Sequence, residues 1–315
     1  MGNKSFWGVG WAALVFVGCA TNGADSAEVE APRVDTASPD TASPDAAPEK
    51  PAPVTDAPGA IPLRERTYVI SFVSPGNVEQ LPEGGARAPG FDLDRSSAAT
   101  CGKYDYAGLT AGATGVDNQL PTLIQNSVAL VDARAAIEYS APNGTSLLLV
   151  EVTDVDDWTN DDQVLVRVYR ASIPPGVTMQ IADAAPFTIL PNQTFVGEEV
   201  ARGEGLGRIQ NGRLHAELGF IPYAVKINDA TVSLPFDDVI LEGDLREGAI
   251  QNGMIGGSIP NRTLATNLAG AVSLEPWFLE FLLLQSGDLG AACDSISAGL
   301  VFEAAGAVRL RAFMK

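Results

Sequence analysis

Leu147-Leu-Leu-Val-Glu-Val-Thr153 and Gln163-Val-Leu-Val-Arg-Val-Tyr-Arg170 decide the class of this fold. Both are short, apolar and β-branched. In the second, Val164, Val166 and Val168 alternate with other residues, which sets one valine face against a core. The polar stretch Asp154-Val-Asp-Asp-Trp-Thr-Asn-Asp-Asp162 between them reads as a hairpin tip. Outward from this hairpin, Thr67-Tyr-Val-Ile-Ser-Phe-Val73 reads as an earlier strand. Ile296-Ser-Ala-Gly-Leu-Val-Phe302 reads as a late strand beside others in a mixed sheet.

A repeat lies between these strands. Gly207-Arg-Ile-Gln-Asn-Gly-Arg-Leu214 recurs as Gly248-Ala-Ile-Gln-Asn-Gly-Met-Ile255, and Phe195 and Phe236 stand at the same offset. Asn-Gly flanked by apolar residues predicts a two-residue hairpin, because a type I′ turn needs positive φ at both central positions. The sequence therefore predicts two related hairpin units, about 195–218 and 236–259. Two visible copies are too few for a propeller. Helical character is limited: two short pieces within 119–141, with Pro121 in a first turn and Asp132 as a cap; one from Pro260 to Leu268; and Ser273 to Leu284, with Ser273 as N-cap and Gly287 at its end. The last piece is too short to span a bilayer and reads as a buried packing helix. The fold class is mainly β (α+β), an antiparallel sheet or sandwich in residues 67–315 with a duplicated hairpin unit and a few packing helices.

The N-terminus carries an address. Lys4 precedes the apolar run Phe6–Val17, and Gly18-Cys19 follows. Residues 1–18 read as an export signal. The junction resembles the bacterial lipobox, with Phe16 where Leu is usual. The resemblance implies lipid on Cys19, and Ala20 in place of an acidic residue implies the outer membrane. An ordinary secretory signal with an incidental cysteine is the other reading. Residues 19–66 hold no apolar periodicity and repeat Asp35-Thr-Ala-Ser-Pro39 as Asp40-Thr-Ala-Ser-Pro44. Proline, like charge and scarce apolar surface predict a disordered spacer. As a coil it reaches about 40 Å, and as polyproline II up to about 140 Å.

The whole chain has 315 residues and a formal charge of −19. That charge argues against nucleic acid and anionic headgroups as partners of the protein surface, since phosphate binding needs clustered Lys and Arg. Of three cysteines, Cys101 and Cys293 remain after lipidation, and an isolated pair in an oxidising compartment predicts a disulfide. Two buried thiols are the alternative.

Asp92 and Asp94 in Gly90-Phe-Asp-Leu-Asp94 share one face if extended, and Asp105 and Asp117 return in the following loop. Such hard oxygen ligands suit Ca²⁺, though the spacing is not that of an EF-hand. A solvated, self-capped loop is the bland alternative. Asp154, Asp156 and Asp161 at the hairpin tip are a second candidate set. The DxD, Cys101, Gly-Val-Asp-Asn-Gln119 and Cys293-Asp-Ser-Ile-Ser297 elements resemble uncharacterised outer-membrane lipoproteins of the myxobacterial type. That resemblance implies the anchor and assigns no activity.

Catalytic signatures are sparse. His215 is the lone histidine, which argues against a His-ligated zinc centre, and no GxSxG accompanies it. Gly203-x-Gly-x-Gly207 lacks the strand–turn–helix setting of a dinucleotide site. The reading is a lipid-anchored, non-enzymatic envelope protein displaying a β-rich binding or structural domain, with Ca²⁺ as the one cofactor in view. A carboxylate-dependent hydrolase, for example on carbohydrate, is the alternative.

Overall fold

The computed structural model describes residues 64–311, apart from 97–100, 104, 111, 127–129, 131, 184, 228 and 273. Residues 1–18, Cys19, most of the linker and Ser273 lie outside the described residues. The chain is mainly β. Its strands are β1 (Arg66–Ser74), β2 (Glu79–Gln80), β3 (Ala86–Arg87), β4 (Leu148–Thr153), β5 (Asp161–Ser172), β6 (Gln193–Gly197), β7 (Gly203–Gln210), β8 (Arg213–Ile227), β9 (Ala230–Arg246), β10 (Ala249–Pro260) and β11 (Ser295–Arg311). The helices are α1 (Leu120–Asn126), α2 (Ala133–Glu138), α3 (Asn261–Val272) and α4 (Pro276–Leu284).

The expected sheet is present and closes on itself. Strands pair in the order β1-β4-β5-β7-β8-β9-β10-β11, every pair antiparallel, and β11 pairs back onto β1. Closure into a barrel leaves these strands no free edge. β6 stands outside the ring, parallel to the end of β11 and antiparallel to the end of β5, which makes the sheet mixed. β2 and β3 form a separate small ribbon.

Alternation along each strand fills the barrel with side chains. Tyr68, Ile70, Val150, Val166, Ile209, Leu214, Phe236, Leu241 and Phe302 belong to one buried cluster. A second cluster forms where segment 173–197 and β6 cover one side of the wall. There Val69, Leu149, Tyr169 and Ala305 meet Ile189 and Phe195. β1 and β4 are thus covered on both faces, which explains why they read as continuous apolar runs while β5 alternates. The pairing register of β1 on β11 shifts between Ile70 and Phe72, so the inward residue becomes Val73, opposite Phe302.

The two copies of the Asn-Gly repeat do different work. Asn211 and Gly212 both have positive φ (54° and 76°) and turn β7 into β8, with Gln210 opposite Arg213. The second turn lies earlier than the repeat predicts: Arg246 faces Ala249, so β9 turns into β10 at Glu247–Gly248. Asn252, with φ 48°, sits inside β10 at a bulge, where the register on both β9 and β11 shifts. Phe195 belongs to the outer cluster and Phe236 to the barrel interior.

Two helix details differ from expectation. Asp132 precedes α2 but makes no side-chain cap. Glu275, in extended conformation, precedes α4, with Pro276 in the first turn. α4 is also not buried all round. Only Leu279 and Leu283 face inward, while Trp277, Phe278, Phe281, Leu282 and Leu284 are exposed. No described helix is long and apolar enough to cross a membrane.

Candidate cation site and its support

The loop before α1 is bound to the outer face of β11 by side chains that imitate backbone. Asn118 is fully buried. Its Oδ1 accepts from the Gly299 amide at 3.0 Å, and its Nδ2 donates to the Gly299 carbonyl at 3.2 Å and to the Pro89 carbonyl. The Gln119 amide donates to the Ser297 carbonyl at 3.1 Å and to its Oγ at 2.9 Å. Ser297 in turn is fixed by Asp288, whose Oδ1 accepts the Ser297 amide at 2.7 Å and whose Oδ2 accepts the Ser297 hydroxyl. Cys101 and Cys293 form a disulfide, with Cα atoms 5.7 Å apart across 192 residues of sequence. The sequence elements at 115–119 and 293–297 are therefore two halves of one locus.

On that support three carboxylates converge. Asp92, Asp94 and Asp117 each place an oxygen within 4.8 Å of the other two, the only such group among the described residues. Ligands on opposite sides of a Ca²⁺ ion, each at about 2.4 Å, stand about 4.8 Å apart, so one ion can touch all three. The backbone brings them together: Phe91 and Asp117 form an antiparallel bridge, and Arg95 adopts positive φ (57°). Asp117 Oδ2 accepts from the Leu93 amide at 2.8 Å and the Asp94 amide at 3.2 Å. The Ser96 amide donates to Asp92 Oδ1 at 3.0 Å and to Asp94 Oδ1 at 2.8 Å.

The electrostatics of the group favour a positive partner. Asp117 is only 4% exposed. Burial pushes its carboxyl up to about 7, against two amide hydrogen bonds that lower it, and the negative charges of Asp94 and Asp288 push it further. Asp105 is not one of the three, yet burial and then Asp94 and Asp92 raise its carboxyl, and its buried Oδ2 has no hydrogen-bond partner. Burial likewise raises Asp288 to about 6. A divalent ion would reverse the sign of this local field.

The second candidate set is not gathered in this way. At the hairpin tip Asp161 accepts the amides of Asp156, Gln163 and Asp157, and the first of these chiefly holds its carboxyl below the usual range. That is a self-capped turn. Asp156 pairs with Arg64 at 3.2 Å, both side chains well exposed. Asp154 adopts positive φ (61°) at the turn.

His215 is occupied in the barrel wall. Its Nδ1 lies 2.8 Å from Glu242 Oε1. Burial alone would raise Glu242, but His215 and Arg213 hold it below the ordinary carboxylate range. Arg213 also reaches Asp244 at 2.9 Å, and Asn252 from the β10 bulge donates to the other Asp244 oxygen. Gly203, Gly205 and Gly207 lie along β7 between antiparallel neighbours, opposite Val168, Val166 and Val164. Sequence reasoning did not foresee the Asn118–Gly299 clasp or the Asp288–Ser297 pair. The elements Gly-Val-Asp-Asn-Gln119 and Cys293-Asp-Ser-Ile-Ser297 hold Asn118 and Ser297, but nothing in either element signals the contacts.

Comparison with protein-family models, with curated proteins and with solved structures finds no match.

Proposed function

We propose that this chain is an exported cell-envelope protein, held to the outer membrane by lipid on Cys19, that displays the barrel as a non-enzymatic binding or structural domain. The observation that carries the reading is the Cys101–Cys293 disulfide. Structural disulfides belong to oxidising compartments, and the remaining cysteine is Cys19 at the resembling lipobox. The barrel interior is filled with side chains, which supports display and not chemistry inside it. Cells fed labelled palmitate are expected to label the wild-type chain and not Cys19→Ala. Label in the variant, or in neither, sinks the anchor.

Asp92, Asp94 and Asp117 hold Ca²⁺ in this reading, with Asp105 behind them. The supporting observation is the convergence of Asp92 and Asp94 on the buried carboxylate of Asp117. The pH dependence follows from the signs. Asp117 and Asp288 are raised when folded, so the folded chain binds more protons than the unfolded chain between about pH 4 and 7. Stability is fullest at the acid end of that window and is lost as pH rises through the two folded values. In EDTA the melting temperature is expected to fall between pH 5 and 8, and Asp117→Asn to flatten the fall. Millimolar Ca²⁺ at pH 8 is expected to restore the loss. A melting temperature indifferent to both EDTA and Ca²⁺ overturns the metal assignment.

A carboxylate-dependent hydrolase would need facing carboxylates beside a platform for substrate. Asp92, Glu217 and Asp238 line one groove of about 370 Å³ with Arg95, but no aromatic residue lines it.

A further inference from the structure

Among the described residues nothing covers the apolar face of α4. Trp277, Phe281 and Leu284 follow one another at i, i+4 and i+7, and Phe278 and Leu282 flank them, so the outward half of the helix is continuous apolar surface. Trp277 is 69% exposed and Phe281 56% exposed. Scattered exposed hydrophobics are ordinary, but five on one nine-residue helix form a patch of the kind that marks an interaction surface. The helix carries one charge, Glu280, which is half-buried and off the stripe. It is also tied down at both its inner face and its C-terminal end. Leu279 and Leu283 anchor it in the main core, and Lys103, near the disulfide, donates to the Gln285 carbonyl at its C-terminal end.

We infer that this face of α4 enters the interface of a zwitterionic phospholipid bilayer and acts as a second membrane contact. The inference rests on the proposed lipid at Cys19. Residues 19–63 lie between that lipid and the first described residue, and the spacer expected from their sequence would reach about 40 Å, which would keep the bilayer within range of the domain. Contact is then effectively intramolecular. The lipid at Cys19 supplies the anchor, and the apolar face of α4 adds a second contact that fixes how the domain lies on the bilayer. The side-chain chemistry fits: a tryptophan and two phenylalanines beside leucines match the composition of the headgroup boundary, and a nine-residue helix lies in that boundary and does not span it. The charge of −19 selects among occupants. It opposes a second copy of the same chain and anionic lipid alike, and leaves zwitterionic lipid.

The mature lipidated chain with Trp158→Phe keeps Trp277 as its one tryptophan beyond residue 18, since the others are Trp7 and Trp11. On phosphatidylcholine vesicles Trp277 emission is expected to shift to the blue, and brominated acyl chains to quench it. Phe281→Asp with Leu284→Asp, both at exposed positions, is expected to abolish the shift and the quenching while the protein still floats with the vesicles through its lipid. Unquenched Trp277 in a floating protein overturns the inference and leaves the anchor standing. If the N-terminal peptide carries no acyl mass, the anchor fails instead. Trp277 quenching at higher lipid concentration then still decides for or against α4. Emission already blue without vesicles and reddening on dilution shows a second copy on this face, and also overturns it.

Discussion

Gly205→Ala is expected to unfold the barrel. β7 and β8 pair only from Gly207, opposite Ala216, to Gln210, opposite Arg213. Beyond that point the β8 backbone leans over the glycine face of β7. A Cβ on Gly205 would stand 1.7 Å from the Glu217 carbonyl oxygen, 2.7 Å from its carbon and 3.1 Å from Leu218 Cα. All three are backbone atoms, so no rotamer change relieves the clash. On its other side β7 is fixed to β5, with Gly205 opposite Val166. Ordinary overpacking costs about 1–3 kcal/mol because side chains can shift. Here two backbones in a closed ring must separate, and the expected loss is above about 4 kcal/mol. Gly248→Ala is the control: no atom lies within 4 Å of its added Cβ, and its expected effect is within about 0.5 kcal/mol. Urea midpoints compare the two. A Gly205→Ala chain with a midpoint near that of the parent would show that the strands are not this close.

Cys101→Ala with Cys293→Ala is expected to lower stability by about 3–5 kcal/mol and the melting temperature by roughly 10 °C. Most of this acts on the unfolded chain, because the bond closes a loop of 192 residues. The m-value is expected to rise, since an uncrosslinked chain exposes more surface when it unfolds. The double variant avoids leaving one unpaired thiol. In the folded state the loss concentrates where Cys101 holds the acidic loop beside β11, the locus of the proposed Ca²⁺ site. An unchanged midpoint would mean that the bond constrains neither state.

β1, β4 and β5 were all legible as strands, by different signals. Val164, Val166 and Val168 alternate because the first part of β5 faces the core on one side only, whereas β1 and β4 are covered on both sides and gave apolar runs without a period. The lengths of β9 and β11 were hidden. Each runs from Ala230 to Arg246 or from Ser295 to Arg311, through bulges or small residues that break the period of two. Barrel closure was hidden as well, because β1 and β11 pair across almost the whole domain and no local pattern encodes their register. Glycine carries no hydropathy signal, so Gly203, Gly205 and Gly207 gave no sign that they form a strand's inner face. Asn-Gly was legible as a positive-φ site but not as a turn: at 211 it reverses the chain, and at 252 it only bulges it, because Glu247–Gly248 has already made the reversal. The acidic cluster was visible as composition, and three of its four aspartates converge. The clasp that supports them was not, since Asn118 looks like a loop residue in sequence and Ser297 reads only as an ordinary strand residue.

The mass of the mature N-terminal peptide tests the envelope-lipoprotein reading most directly. The expected peptide begins at Cys19 and carries the added mass of acyl chains, with Cys101 and Cys293 recovered as a disulfide-linked pair of peptides. A peptide that begins elsewhere, or a Cys19 with a free thiol, would contradict the anchor on which the reading depends.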